Sequence, residues 1–408
     1  MKSKELYKCL ALSVKNEVVV NDYFMSVFGS TNFKISFPGT SRFNSLGLND
    51  GLAKILLFIV YYLWPFIFSP VVNIFYFIKC LRFKFNSRKC LCVPSPNELV
   101  FASGQTTLNV ITKAVGEREA VLYRPRQKNG ESDNDFDSLQ LLSAFELFQI
   151  LCYSIYFSIR YSYDSKTKVN RIYSAFFFDL IAVVKVFDKF GSLDKVYMGD
   201  HFDRWAILLD LIALDKRKIK NLSLVQHGSL KNSEGVFPLK LAVKLKYVRT
   251  LYCFDKESCD LFDEYIMQNK RCYSVDYFKN SIQLTDMGPL ECLSVLIVGH
   301  FLCLSFHVEL SKYISHVCGE KIQLFYKPHP TQEINGLDSE NWLTITDSAI
   351  FPCVDFVISY PSTLVEQYGM HGIPVVIHSI SRKENDLSRA LNDIQKCCAL
   401  LTAKKVAK

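Results

Sequence analysis

The chain has 408 residues, of which 49% are hydrophobic and 22% charged, with a formal net charge of +8. That length exceeds one ordinary core and suits two domains of about 100 to 200 residues each, and the hydrophobic content excludes a disordered chain. With 32 phenylalanines and 21 tyrosines, the composition is rich for a purely soluble enzyme and points to contact with lipid. The 14 cysteines show no pairing rhythm: Cys90 and Cys92 stand in C-x-C spacing, Cys397 and Cys398 are adjacent, and no C-x-x-C repeats. Reduced thiols in a cytosolic compartment are therefore expected. Met1 to Asp22 mixes charges with short apolar pieces, so no cleavable signal peptide is expected.

Residues 1–95 form an N-terminal region dominated by Ile55–Ile78, 24 residues without a charge. About 20 suffice to cross a bilayer, yet Pro65, Pro70 and Asn73 interrupt the run and Tyr61, Tyr62 and Trp64 favour an interface. Lys79, Arg82, Lys84, Arg88 and Lys89 follow on one side only, where a membrane-surface protein places its cations. A broken helical hairpin lying in the interface accounts for these features together; a true transmembrane helix and buried core helices are the alternatives.

Beyond Pro96 the pattern alternates strand and helix. A strand at Leu99–Ser103, a helix at Thr107–Val115 and a strand at Ala120–Tyr123 make a βαβ unit whose Ser103-Gly104-Gln105 turn sits where ligands approach such sheets. Gln127–Asp137 is polar and acidic and reads as an exposed loop. Two apolar-periodic helices follow, Leu139–Tyr161 and Val169–Phe190, then strands at Lys195–Met198, Leu222–Val225 and Thr250–Phe254. These complete a first domain over 96–269. The polar, aperiodic stretch 270–289 reads as a linker. A second domain over 290–408 repeats the alternation, with strands at Leu293–Val298, Ile322–Tyr326, Leu343–Ile345, Phe356–Ser359 and Val375–Ile377.

Charged and polar clusters fall at the strand ends, where open α/β sheets build their sites. In the first domain, Gly199-Asp200-His201-Phe202-Asp203-Arg204 follows one strand and Gln226-His227-Gly228-Ser229 another. If those strands are neighbours, Asp200, His201 and His227 are candidate catalytic groups, by type and position for a general base. A strand-terminal His227 holding a loop carbonyl is the structural alternative. Asp203 and Arg204 read as the charged first turn of a helix.

In the second domain, Tyr326-Lys327-Pro328-His329-Pro330 ends a strand, and Ser359-Tyr360-Pro361-Ser362-Thr363 opens a helix about thirty residues later. Lys327 and His329 supply charge and donors, while Ser359, Ser362 and Thr363 bring hydroxyls to a helix N-terminus, a combination suited to a nucleotide phosphate. Thr363 and Glu366 also have capping-box spacing. His300, after Gly299 at another strand end, could touch the same phosphate. His371 and Gly372 read as a helix stop. No Asp-x-Asp stands at a strand end and the histidines share no common ligand spacing, so no metal site and no cofactor are expected.

Lys327-Pro328-His329-Pro330 followed by Ser359-x-x-Ser362-Thr363 resembles the HP and Ser/Thr motifs of bacterial sialyltransferases and polysialyltransferases. Gln226-His227-Gly228 is similar to the His-Gly motif of CDP-glycerol glycerophosphotransferases. The likeness runs from about Val196 to Ile377 and lacks the sialyltransferases' paired-acid-plus-Gly motif. It implies a GT-B α/β fold, two Rossmann-like domains facing a cleft, behind an N-terminal apolar membrane-associating segment. It further implies a metal-independent, inverting glycosyltransferase of bacterial surface polysaccharide (O-antigen or capsule) synthesis. The implied donor is a CMP-sugar, its phosphate held by Lys327, His329, Ser362 and Thr363 with Glu366 on the ribose. Expected partners are a lipid-linked glycan acceptor and an anionic membrane surface, at the cytoplasmic face of the inner membrane in peripheral or monotopic association, with no nucleic acid. A CDP-glycerol or other alditol phosphotransferase, a soluble sugar-nucleotide epimerase and a non-catalytic scaffold are the competing functions.

Overall fold

In the computed structural model, the residues described are 3–28, 50–86, 96–118, 120–125, 135–165, 168–215, 217–230, 237–287, 292–300, 302–318, 322–329, 341–347, 349–380 and 387–406. Arg88 and Lys89 of the basic cluster, the Cys90/Cys92 pair, residues 127–134 of the acidic loop, Pro330 and the last residues of the 270–289 stretch lie outside them.

The chain divides into two units, Met1–His227 with Leu239–Lys279, and Gly228–Pro238 with Asn280–Lys408. The first opens with helices α1 (Ser3–Ser13), α2 (Lys15–Phe28) and α3 (Asp50–Leu63). Trp64–Phe68 follows as one wide π-type turn and leads into α4 (Ser69–Asn86). Pro65 cannot donate a backbone hydrogen bond, and the Ser69 N–H reaches back five residues to the Trp64 carbonyl, so the helix absorbs the proline by widening. Leu63 and Ser69 keep right-handed helical dihedrals on either side of the turn. The expected hairpin is thus not formed: Ile55–Ile78 runs on as helix. The inner face of α3, the turn and α4 buries Tyr61, Trp64, Ser69, Asn73 and Cys80, with the Trp64 indole N–H donating to Ser174 Oγ at 3.0 Å.

The first sheet holds β1 (Glu98–Ala102), β2 (Val121–Tyr123), β3 (Asp135–Asp137), β4 (Leu193–Met198), β5 (Ile219–Val225), β6 (Val248–Cys253) and β7 (Ser274–Tyr277). Their order is β3-β2-β1-β4-β5-β6-β7, all parallel. Between them run α5 (Gln105–Val115), α6 (Ala144–Asp164), a 3-10 turn at Lys168–Phe176, α7 (Phe177–Lys189), α8 (Arg204–Ile212) and α9 (Lys256–Leu261). Parallel strands need cover on both faces; α7 is apolar nearly all round, with Phe177, Phe178, Leu180, Ile181, Val183, Val184 and Phe187 all buried.

Two edge strands depart from expectation. Asp135–Asp137 belongs to the stretch read as loop, and Ser274–Tyr277 to the stretch read as linker. Both are short, and β7 is largely exposed, so neither carries an apolar signature; pairing with β2 and β6 makes them strands.

The second unit has β8 (Leu293–Val298), α10 (Leu304–Cys318), β9 (Ile322–Lys327), β10 (Leu343–Thr344), β11 (Phe356–Ser359), α11 (Thr363–Met370), β12 (Val375–Ile377) and α12 (Leu387–Val406). The strands are parallel in the order β10-β9-β8-β11-β12. Every residue of β8 is buried. One core layer gathers Val295, Ile297, Leu310, Leu324, Phe356 and Ile358, the other Leu296, Val298, Phe325, Val357 and Tyr368, so alternate side chains of each strand feed opposite faces.

Both sheets reverse their winding once, between β1 and β4 in the first and between β8 and β11 in the second. The crevice beyond the strands' carboxyl ends at such a reversal is the ligand position of open α/β sheets.

Candidate functional site

In the first unit, β4 pairs with both β1 and β5, so the segments after these strands lie side by side. Gly199 follows β4, and a Cβ there would collide with the Thr107 methyl group; only glycine lets the strand end pass α5. Asp200 comes next, buried, bonded to the Ser103 side chain, with Oδ2 lacking a hydrogen-bond partner. Burial raises its pKa, and the positive charges of Arg124 and Arg204 oppose that rise.

His201 and His227 stack with ring centroids 4.5 Å apart. The His227 backbone N–H donates to His201 Nε2 at 3.1 Å. Burial, and then His227, depress the His201 pKa well below its ordinary value. Nε2 of His201 is thus occupied by the His227 N–H, and the ring supports the His227 backbone. His227 holds the Gly199 carbonyl through Nδ1. A carbonyl only accepts, so Nδ1 carries the hydrogen and Nε2 is the basic nitrogen. Burial lowers the His227 pKa as well. Nδ1 thus carries the structural role weighed for His227, and Nε2 is the nitrogen left with the lone pair.

Gln226 supports the same strand end, accepting from the Phe254 N–H at 3.0 Å and donating to Ser258 Oγ at 3.2 Å. Asp203 caps α8, accepting from Trp205 N and Ala206 N. Arg204 is not solvated: it pairs with Glu17 at 3.0 Å and lies 3.9 Å from the Phe176 ring centroid. Asn16 donates to the carbonyls of Phe202 and Val243. The N-terminal helices therefore hold the loop that carries Asp200 and His201, a part that the mixed polarity of residues 3–28 did not reveal. Arg124, at the end of β2, was also missed; its signal is an arginine directly after a strand.

In the second unit, Gly299 and His300 follow β8. A Cβ on Gly299 would sit 2.5 Å from the Tyr326 ring, so this glycine makes room for the tyrosine, which stacks on Trp342 at 4.4 Å. The His300 ring lies 5.3 Å from that of His329, which follows β9, and 4.9 Å from that of Tyr360, which follows β11. His300 Nδ1 accepts the Leu302 N–H at 3.2 Å, which leaves Nε2 to carry the hydrogen. Burial, then His329 and His378, push its pKa down to about 4, and burial lowers His329 too. His300 is therefore neutral around neutral pH, with Nε2 carrying its hydrogen.

Ser359 is buried and bonds Ser362, Oγ to Oγ, at 3.1 Å. Ser362 occupies the N-cap of α11 without a side-chain cap hydrogen bond, and Thr363 is already helical. The capping box expected from Thr363 and Glu366 is therefore absent: the helix begins at Thr363 itself, so its oxygen cannot serve as the cap. The uncapped first turn presents its N–H groups and the positive end of the helix dipole to an anion. Gly228 belongs to this unit, and a Cβ on it would lie 3.7 Å from Thr363 Oγ1. His371 accepts no chemistry: its Nε2 donates to the Ile282 carbonyl at 2.9 Å, and Gly372 follows at φ +72°, the helix stop that was expected.

Lys327 differs from expectation. Its ammonium donates to the carbonyls of Asp347 at 2.9 Å and Ile350 at 2.7 Å, and burial pushes its pKa down to about 8. It organises the loop after β10.

Beside this cluster, Cys303, His307 and His378 bring their ligand atoms within 4.8 Å of one another, all buried. No shared ligand spacing announced them, although Cys303 and His307 stand four apart around the start of α10, a pair that falls on one helix face.

No family model matches the chain, and no curated protein matches it. Among solved structures, a variant of Thermobaculum terrenum O-GlcNAc transferase is similar at a TM-score of 0.30 and 11% identity, over 72% of this chain. The chain spans 55% of that protein's length. What the two sheets establish is a mixed α/β chain with two parallel sheets.

Proposed function

We propose that the chain is a glycosyltransferase that moves a sugar from a cytidine-nucleotide donor to a lipid-linked glycan, by inverting displacement at a membrane surface. The observation that carries this reading is the convergence of His300, His329 and Tyr360 with the uncapped start of α11 at the winding reversal of the second sheet. Neutral imidazole donors and helix N–H groups suit a nucleotide phosphate. They are worth most when the glycosidic bond breaks and charge grows on the leaving oxygen.

The remaining roles follow from chemistry. Nε2 of His227 takes the proton of the acceptor hydroxyl as that oxygen attacks the anomeric carbon. His201 fixes His227 by accepting its backbone N–H, and Asp200 is the second candidate base. Ser359 and Ser362 bind phosphate, Thr363 contributes its N–H, and Glu366 takes the ribose hydroxyls. Lys327 acts through the 347–350 loop. None of these roles requires a divalent ion.

The membrane part rests on α3 and α4. Among the described residues, one helix, Phe58–Lys84, is long and apolar enough to cross a membrane by length and composition. Its outer face leaves Phe58, Phe66, Val71 and Phe75 each at least 57% exposed. Packing alongside α6, where Phe77 meets Phe148, favours lying in the interface over crossing it, because Phe145, Phe148 and Tyr156 of α6 are exposed as well. Such an apolar surface suits lipid and has no use in a soluble epimerase.

The test is incubation of the membrane-reconstituted protein with CMP-sugars and, separately, CDP-glycerol and CDP-ribitol, each with a lipid-linked glycan. Mass spectrometry of the acceptor should show a glycosyl increment with release of CMP. An alditol-phosphate increment would establish the phosphotransferase instead, and no increment with any donor would remove both transferases.

A further inference from the structure

We infer that Cys303, His307 and His378 form a buried zinc site that clips the start of α10 to the end of β12. Independent of the proposed transfer reaction, the inference rests on where three soft donors are placed. Cys303 and His307 are fully buried and His378 is 5% exposed. Their donor atoms all lie within 4.8 Å of one another. Cys303 and His307 are joined by the helical bond from His307 N to the Cys303 carbonyl at 2.8 Å, so both project from the same end of α10. His378 follows β12, held there by its own N–H to the Ser359 carbonyl at 2.9 Å.

The hydrogen bonding around the rings fits ligands. His378 Nδ1 meets the Ser379 carbonyl at 2.9 Å and must carry its hydrogen, which orients the ring and leaves Nε2 as a lone pair. A ligating histidine is commonly held by such an outer carbonyl. That lone pair faces His307 Nε2 at 2.9 Å. His307 Nδ1 is buried without a partner, so the ring gains nothing on its other side, and its Nε2 has only this cluster to serve. Two nitrogens about 2.05 Å from a tetrahedral ion lie about 3.3 Å apart. The pair therefore opens by about 0.4 Å when an ion replaces the shared proton.

A thiolate and two imidazoles select zinc over magnesium or calcium, which prefer oxygen. Three protein donors leave one tetrahedral position for a further ligand. The clip has a local consequence, because the Cys303 N–H donates to the His300 carbonyl at 2.9 Å. An ion on Cys303 steadies the turn that carries His300.

The full chain, purified without chelator and dialysed against metal-free buffer, should retain about one zinc ion. Cobalt substitution should give tetrahedral visible bands with a thiolate charge-transfer band, and Cys303→Ser should abolish that band while circular dichroism stays unchanged. X-ray absorption of the zinc-loaded wild type, which needs no variant, should find one sulfur and two imidazole nitrogens in the first shell. Wild type that holds less than about a tenth of an equivalent of zinc and develops no cobalt band would overturn the site. So would a charge-transfer band that survives Cys303→Ser, or a shell without sulfur or with several sulfurs, either of which places the ion elsewhere.

Discussion

The backbone N–H of His227 donates to Nε2 of His201 across 3.1 Å, while Nδ1 of His227 holds the Gly199 carbonyl and leaves its Nε2 with the lone pair. His227→Ala should lower kcat by about a hundredfold or more, the range of a lost general base. His201→Gln should cost less and act through geometry. Steady-state kinetics of the two variants check this ranking; equal losses, or a larger loss in His201→Gln, would reverse the assignment.

The same burial predicts how stability depends on pH. His201 is held neutral, its folded pKa well below the ordinary 6.5. The unfolded chain therefore binds a proton that the native chain refuses. Stability is fully present above about pH 6.5 and is lost as pH falls from there toward the folded pKa. Thermal melts from pH 7.5 down to 5 should show a falling Tm, with a shallower fall in His201→Gln. A flat profile in the wild type would contradict the burial of a neutral ring.

His329 follows its strand beside His300 and is the donor with the clearest access, since Lys327 is tied to the carbonyls of Asp347 and Ile350. His329→Ala should reduce turnover by about a hundredfold with the fold intact. Kinetics and circular dichroism on one preparation decide the matter, and near-normal turnover would return His329 to a structural role.

Legibility in the sequence followed burial. Leu293–Val298, Phe356–Ser359 and Val375–Ile377 are apolar apart from Ser294 and Ser359, and their strands have the expected limits. Asp135–Asp137 and Ser274–Tyr277 were unreadable because edge strands are specified by pairing rather than by side-chain pattern. The residue types at the strand ends were visible, but their availability was not. Which nitrogen of His227 is engaged, whether Lys327 is spent on carbonyls, and that Cys303 meets His378 all depend on contacts distant in sequence.

The lipid-facing assignment is tested with vesicles. Phe58, Phe66 and Phe75 lie exposed on one helix, and Lys79 and Arg82 follow, exposed as well. Replacing the three phenylalanines by serine should abolish sedimentation with liposomes. Lys79→Gln with Arg82→Gln should remove only the preference for anionic lipid, at about 1 kcal/mol per charge. A wild-type protein that stays in the supernatant at every lipid composition and salt concentration would defeat the assignment.

The central claim is that the strand-end cluster of the second unit binds the phosphate of a cytidine nucleotide. Calorimetric titration of CMP into the wild type and His329→Ala, at pH 6 and pH 8 without magnesium or manganese, tests it most directly. Because burial lowers the His329 pKa in the free protein and an arriving phosphate raises it, binding takes up protons and should be tighter at pH 6. The account predicts saturable CMP binding without added metal, strengthened at the lower pH in the wild type and weakened at least tenfold, with less pH response, in His329→Ala. Absence of CMP binding, or binding that requires magnesium and ignores His329, would contradict it.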